Sequence, residues 1–204
     1  RSTLFPYTTL FRSHILDKDS VGKQLNLEEK STIIKYSMQE AERQLKLLGD
    51  QHGKRTVKGY LDYFGFHIET EKPELMPSFL YMGMMVPEEK KVLLNETVIT
   101  LGESRMEIRL SSDSDIYRCF RDIILWHELF HVLEEQRPQI YTRSVQARCS
   151  FLGLFKRMRK VEAASEIGAI HFSKLASGVS FCPYVYTQYL LAATKQDTEV
   201  EDEF

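Results

Sequence analysis

The chain has 204 residues, of which 43% are hydrophobic and 11% aromatic, and it carries 27 Lys and Arg against 29 Asp and Glu. No apolar run approaches the roughly 18 residues of a membrane span, and the charge lacks the basic excess of a broad nucleic-acid surface. Three scattered cysteines, Cys119, Cys149 and Cys182, argue against a disulfide framework or a thiolate zinc site. Composition therefore predicts a globular protein of a reducing compartment, the cytoplasm.

The first 13 residues form an unusual segment. Their sequence, RSTLFPYTTLFRS, resembles the in-frame translation of a common sequencing adaptor and not native protein sequence. An apolar N-terminal strand or the end of a signal peptide is the alternative interpretation. Non-native segments are excluded from fold prediction, so we expect the genuine chain to begin at His14, with its true start missing.

Two helices are predicted first. Apolar residues recur at helical spacing between Asn26 and Gly49. Asn26 suits the N-cap position and Glu29 completes a capping box, while Gly49 is the predicted end. A shorter helix over residues 57–64 stops at Gly65.

Short strands are predicted next, before a return to helical spacing. The predicted strands cover residues 66–68, 80–86, 92–95, 97–101 and 106–110. The polar residues 87–91 predict the turn of a hairpin between the second and third strands. Met82, Met84 and Met85 in this hairpin are typical of core filling.

The C-terminal half is predicted to be helical. A helix capped by Ser112 or Ser114 reaches Gln136 and is broken by Pro138, and a second helical stretch, in one or two pieces, ends near Gly178. The predicted ranges are 116–136, 142–176 and 184–193, followed by an acidic disordered tail over residues 196–204. A basic cluster in the second range predicts a solvated helix face, with contact to an acidic partner as the alternative. It consists of Lys156, Arg157, Arg159 and Lys160.

This order of elements predicts an α+β fold with one core. Residues 14–195 would form a single domain, in which a small, mostly antiparallel sheet packs against long helices.

The residues with the clearest chemistry lie in the helix predicted over residues 116–136. The run 126–131, WHELFH, is an HExxH motif, and His127 and His131 lie one turn apart on the apolar face. Two imidazoles at this spacing converge on one point, which suits a zinc ion, and Glu128 can act as the general base that activates water. The alternative is a pair of ordinary buried histidines, but two unpartnered His and a Glu in a core are costly.

A catalytic zinc site needs a third protein ligand and an open position. Glu134 and Arg137 occupy the positions where a metzincin would place Gly and His, which excludes that subclass, and Glu134 and Glu135 are predicted to be solvated at the helix end. The next helix offers Glu162 and Glu166 among small residues that permit close helix packing.

HELFH, preceded by an apolar helix and a hairpin and followed by a helix with the pattern ExxAxxF, resembles the ImmA/IrrE-like zinc metallopeptidases, a gluzincin-type group. The resemblance implies a zincin-like fold, His127 and His131 as zinc ligands and Glu128 as general base. It implies Glu166 as the third ligand, because Ala169 and Phe172 follow at the family's offsets. Glu162 is the second choice.

Two positions depart from the family's pattern. Phe130 replaces a usual Gly, and Ile170 stands where Asn or Asp is typical and would orient a ligand. His171 could take over that role. The departures give weight to a second hypothesis, a weakly active or inactive zinc-binding module that acts on a regulator without cleavage.

The resemblance implies a zinc-dependent endopeptidase with a narrow protein or peptide substrate such as a transcriptional repressor, and no membrane or direct nucleic-acid contact. The strand at residues 80–86 is predicted to receive the substrate as an extra strand. Four side chains are candidates for stabilising the oxyanion: Tyr141, His171, Tyr184 and Tyr186.

Overall fold

A computed structural model of the chain describes residues 5–74, 81–109, 120–151, 155–179, 182–184 and 187. These residues form an α+β fold with seven α-helices and two small sheets, which confirms the predicted fold class. The helices are α1 (Phe5–Lys18), α2 (Leu27–His52), α3 (Val57–Tyr63), α4 (Glu96–Arg109), α5 (Phe120–Gln136), α6 (Tyr141–Ser144) and α7 (Ala163–Ser177). The strands are β1 (His67–Glu71), β2 (Gly83–Val86), β3 (Lys91–Asn95), β4 (Gln146–Phe151) and β5 (Phe155–Lys160).

Helix α2 begins as predicted and ends later. Asn26 accepts a hydrogen bond from the Glu29 backbone N–H, and the Glu29 side chain accepts one from the Asn26 N–H, which completes the capping box. The predicted end at Gly49 is wrong. The helix continues one turn to Gly53, which has a positive φ of 71° that glycine tolerates at a helix end.

The first sheet has three strands in the order β1-β3-β2. The predicted hairpin is confirmed, since β2 and β3 pair antiparallel, but β1 pairs parallel to β3. Strand β2 is therefore an edge strand of this sheet among the described residues. Its N-terminal neighbours 75–80 lie outside them, so part of the predicted strand at 80–86 does too.

The two short strands predicted at residues 97–101 and 106–110 are wrong, because residues 96–109 form helix α4. Asn95, the last residue of β3, accepts a hydrogen bond from the Val98 N–H and so caps the start of this helix. Val98 and Ile99 are buried in the main core. Tertiary burial thus overrides the strand preference of β-branched residues.

The long helical stretch predicted over residues 142–176 is also wrong in its first half, where β4 and β5 form a separate antiparallel hairpin. Along β4 burial alternates: Cys149 is buried, while Arg148 and Ser150 on either side are exposed. The basic cluster predicted on a helix face therefore lies on β5. Only the second half of the stretch is helical, as α7, and Gly178 ends it as predicted.

Helix α7 packs against both α2 and α5 and joins the two parts of the core. The larger part, between α5 and the three-stranded sheet, includes Phe130 and Phe172, while the smaller part packs α1, α2 and β4 around Ile167 of α7. Both α5 and α7 therefore pack against several other elements. This packing fixes the positions of the side chains at the contact between the two helices.

Several predictions lie wholly or largely outside the described residues: the caps at Ser112 and Ser114, most of the last helix, and the acidic tail. Helix α1 includes residues 5–13 of the segment that resembles an adaptor translation, an origin that stays a prediction. Cys149 and Cys182 are free and buried. Among the described helices, none combines the length and the hydropathy that crossing a bilayer requires.

Candidate metal centre

The two histidines of the HExxH motif converge as predicted. Both lie on α5, and their Nε2 atoms approach to 3.2 Å, with the rings inclined at 71°. Both side chains are partly buried, with 22% of His127 and 18% of His131 exposed. The Nε2 atoms thus share one location at the surface of the helix.

Glu166 on α7 brings a carboxylate to the same location. Its Oε2 lies 3.4 Å from Nε2 of His127, and its Oε1 lies 3.6 Å from Nε2 of His131. Potential ligand atoms of all three residues lie within 4.8 Å of one another. The group could hold a metal ion, with two neutral imidazole nitrogens and one carboxylate as ligands.

Glu162, the second choice as third ligand, lies elsewhere. It occupies the position before the first residue of α7, with 68% of its side chain exposed, and it pairs with Lys160 at 2.5 Å. The small residues around Glu166 explain the close packing that brings its carboxylate to α5, since Ala163 and Ala164 are buried and Gly168 contacts Phe130.

Glu134 was predicted to be solvated, and this prediction is wrong: only 1% of its side chain is exposed. Its Oε1 accepts a hydrogen bond from the Thr142 hydroxyl at 2.5 Å, and its Oε2 accepts one from the Ser165 hydroxyl at 2.5 Å. Oε2 also lies 3.0 Å from Nδ1 of His131. Glu135, the next residue, is exposed as predicted.

The carboxylates around His131 determine its ionisation. Burial lowers the pKa of His131, but the hydrogen bond to Glu134 and the charges of Glu166, Glu128 and Glu134 outweigh burial and raise the pKa to about 9. Glu166 keeps 51% of its side chain exposed. Partial desolvation raises its pKa, but the hydrogen bond with His127 and the charges of both histidines lower it to about 2. Without a metal, a proton therefore occupies this cluster at neutral pH.

Glu128, which follows His127 on α5, is buried. Its Oε2 accepts a hydrogen bond of 2.9 Å from the backbone N–H of Met85 in β2. A Cβ atom on Gly83 would lie 2.5 Å from Cγ2 of Ile124 and 3.2 Å from Oε1 of Glu128, so only glycine permits this approach. Strand β2 thus fixes the carboxylate of Glu128 through its backbone.

A cavity of about 340 Å³ opens beside His127, Glu128 and Glu166. Apolar side chains make up much of its wall, which includes Val98, Phe120, Ile123, Ile124 and Ile170. The ligand cluster and the candidate base therefore meet at one end of a mainly apolar space.

Of the four predicted oxyanion candidates, Tyr184 lines the cavity. The Tyr141 ring packs on Tyr36, with centroids 5.5 Å apart, and Tyr186 lies outside the described residues. Tyr81, which the sequence did not single out, also lines the cavity.

Phe130 and Ile170, the two positions that depart from the pattern that the sequence resembles, have specific surroundings. Phe130 is fully buried and packs on Gly168, where a Cβ atom would lie 2.8 Å from the Phe130 ring. Ile170 lines the cavity and cannot hydrogen-bond a ligand. His171 does not replace it, because its ring nitrogens face Glu42 and Arg12. A carboxylate does contact Nδ1 of His131 at 3.0 Å, but it belongs to Glu134.

Comparison with known proteins gives no assignment: no protein-family model, no curated protein and no solved structure matches the chain.

Proposed function

We propose that this chain is a zinc-dependent endopeptidase, with His127, His131 and Glu166 as metal ligands and Glu128 as general base. One observation carries the proposal. Two imidazole nitrogens and a carboxylate, delivered by two helices, meet at 3.2 to 3.6 Å beside a cavity into which Glu128 also faces.

The separations and the donor types suit zinc. Ligand atoms of a tetrahedral zinc ion at roughly 2.0–2.1 Å lie about 3.3 Å apart. The two Nε2 atoms lie 3.2 Å apart, and each lies 3.4 or 3.6 Å from the nearer of the two Glu166 oxygens. Two histidines and one glutamate also form one of the ligand sets of catalytic zinc, which leaves one position open. The resident ion would act as a Lewis acid and lower the pKa of water at the open position.

Glu128 is placed to move protons beside that position. Its Oε2 accepts the Met85 N–H at 2.9 Å, which fixes the side chain and leaves Oε1 to accept a proton from the attacking water. The same carboxyl group can then return the proton to the leaving amine of the substrate. Burial of Glu128 excludes competing water from this transfer.

The substrate is proposed to be a protein or peptide. The Met82 carbonyl accepts a hydrogen bond from the Asn95 N–H, so the backbone of Met82 faces β3. The Met85 N–H instead donates to Glu128 on α5. Because backbone groups alternate along a strand, Gly83 directs its N–H and C=O away from β3, where a substrate backbone could pair. The resemblance to ImmA/IrrE-like peptidases adds the expectation of narrow proteolysis, with a transcriptional repressor as one such substrate.

The test is to compare wild type with Glu128→Gln, a variant of the same shape that cannot accept the proton. Each protein is loaded with zinc, its metal content is measured, and it is incubated with a peptide library from a digested proteome, in which new N-termini are identified by mass spectrometry. We expect both proteins to hold one zinc, and the rate of cleavage to fall by about 10²–10⁴ in Glu128→Gln, as for loss of a general base.

Glu103→Gln serves as the control, since Glu103 lies on α4 and pairs with Arg121. Identical termini and rates from wild type and Glu128→Gln would refute the peptidase proposal. Stoichiometric zinc without cleavage by wild type would support the alternative, a binding module that acts on a regulator.

A further inference from the structure

Glu134 lies next to the proposed metal ligands, on the side that faces away from the ion. Its carboxylate contacts the Nδ1 side of His131, opposite the Nε2 atom that faces His127 and Glu166. It is outside the group whose atoms could hold a metal ion. Glu134 therefore contacts the ligand His131 and would not bind the ion itself.

The carboxylate fixes one form of the ring. An ionised carboxylate only accepts hydrogen bonds, so Nδ1 of His131 must carry a proton to bond Glu134 at 3.0 Å. In the neutral ring the lone pair then resides on Nε2, the atom that faces the centre. Without this acceptor, the neutral ring could adopt the other tautomer, which cannot bind a metal through Nε2.

The same carboxylate connects the two helices that carry the ligands. Glu134 belongs to α5, and Ser165, which donates to it, directly precedes Glu166 on α7. The Ser165 hydroxyl also lies 3.2 Å from Nδ1 of His131. The Thr142 hydroxyl of α6 donates a hydrogen bond to the other carboxylate oxygen of Glu134. The network thus fixes the distance between His131 and Glu166 and the orientation of the His131 ring together.

We propose that Glu134 is the positioning residue of the metal centre, which holds His131 in its Nδ1–H tautomer and holds α7 at the distance at which Glu166 can bind the same ion. This inference rests on the proposed function only in assuming that the centre takes zinc. The carboxylate acts through His131 and Ser165 and touches no substrate.

The experiment measures zinc affinity of the full chain by competition with a chromophoric chelator. Glu134→Gln keeps the shape but removes the negative charge, so its hydrogen bond to the Nδ1–H of His131 is weaker than that of a carboxylate. We expect its zinc affinity to fall by about 10–100-fold, the usual effect of removing a partner of a ligand. The matched control is Glu135→Gln, the next residue on α5, which pairs with Arg143 at the surface. Its affinity should stay within about twofold of wild type.

A second measurement separates positioning from general packing. In the zinc-loaded protein, the His131 Nδ1–H proton resonance should be strongly deshielded by the carboxylate and should move upfield in Glu134→Gln, while the His127 ring signals keep their position. If Glu134→Gln does not fold, the double variant Ser165→Ala with Thr142→Val replaces it, and a several-fold loss of affinity is expected because two donors that fix the carboxylate are gone.

Wild-type affinity in a folded Glu134→Gln protein, or in the double variant, would overturn the inference. Failure of the proposed function has a different signature: zinc binding would weaken in Glu134→Gln as expected, while the wild-type protein cleaved no peptide.

Discussion

Helix α5 makes two contacts of opposite character around the candidate site. Toward α7 the contact is polar and buried: His131, Glu134 and Ser165 form a connected hydrogen-bond network. Toward β2 the contact is a close backbone approach, in which Gly83 packs on Ile124 and the Met85 N–H reaches Glu128. The first contact positions the candidate metal ligands, and the second positions the candidate base.

For the proposed function, the difference predicts that metal binding and catalysis depend on separate sets of residues. Side chains on α5 and α7 set the ligand geometry, so substitutions there should act on metal affinity. The backbone of β2 fixes Glu128, so substitutions there should act on turnover with the metal retained. A substitution in β2 that lowered zinc affinity as much as turnover would contradict this division.

The largest effect on the α5–α7 side is expected from Glu166→Ala, which removes one of three candidate ligands. Zinc affinity, measured by chelator competition, should fall by more than about 100-fold, beyond the range for loss of a ligand's hydrogen-bond partner. Glu162→Ala is the control on the same helix start and should bind like wild type, because Glu162 is exposed and pairs with Lys160. A larger loss of zinc affinity in Glu162→Ala than in Glu166→Ala would identify Glu162 as the ligand.

A smaller, graded effect is expected from pH. The pKa of His131 is raised to about 9 by the surrounding carboxylates, so below this pH the metal-free protein holds a proton there that must leave when a metal binds. The contribution of His131 should raise zinc affinity about tenfold per pH unit from pH 6.5 to 9. An ordinary histidine would contribute no such rise above pH 6.5.

The pH series can be taken from pH 6 to 8.5 with the chelator's own protonation corrected. The pKa of Glu166 is lowered to about 2, so this ligand stays ionised throughout the series. Glu134→Gln should end the rise at a lower pH, because it removes the largest effect that raises the pKa of His131. Its loss of zinc affinity is therefore compared with wild type at the upper end of the series, where the proton on His131 competes least. An affinity that is flat above pH 6.5 in wild type would contradict the strongly anionic environment of the α5–α7 contact.

The sequence could predict the local features of the site. His127 and His131 were found because i and i+4 share a helix face, and the capping box of α2 was found because its residues are adjacent in the chain. Glu166 was placed by resemblance and by the small residues around it, and the structure brings it to the histidines.

What the sequence missed depends on contacts between distant segments. Glu134 lies three residues after His131 and so shares its face, but its burial requires Thr142 and Ser165, which other elements contribute. Helix α4 was predicted as strands because Thr97, Val98 and Ile99 favour strands locally. The β4–β5 hairpin was predicted as helix because Lys, Arg and Met are good helix formers.

The smallest expected effect tests the contact between α5 and β2. In Gly83→Ala the new Cβ would lie 2.5 Å from Cγ2 of Ile124 and 3.1 Å from Cγ of Glu128, so the strand or the side chains must shift. Overpacking of this kind costs about 1–3 kcal/mol in the free energy of unfolding. Because the shift would also move the Met85 N–H away from Glu128, turnover should fall while zinc affinity stays unchanged.

Gly49→Ala is the matched control for this substitution. Gly49 lies within α2, and a Cβ there would meet nothing within 4 Å, so alanine should stabilise the helix by about 0.5–1 kcal/mol. Denaturant unfolding, zinc titration and cleavage assays on both variants separate the effects. If Gly83→Ala weakened zinc binding as much as turnover, β2 would position the ligands as well as the base, and the division between the two contacts of α5 would be wrong.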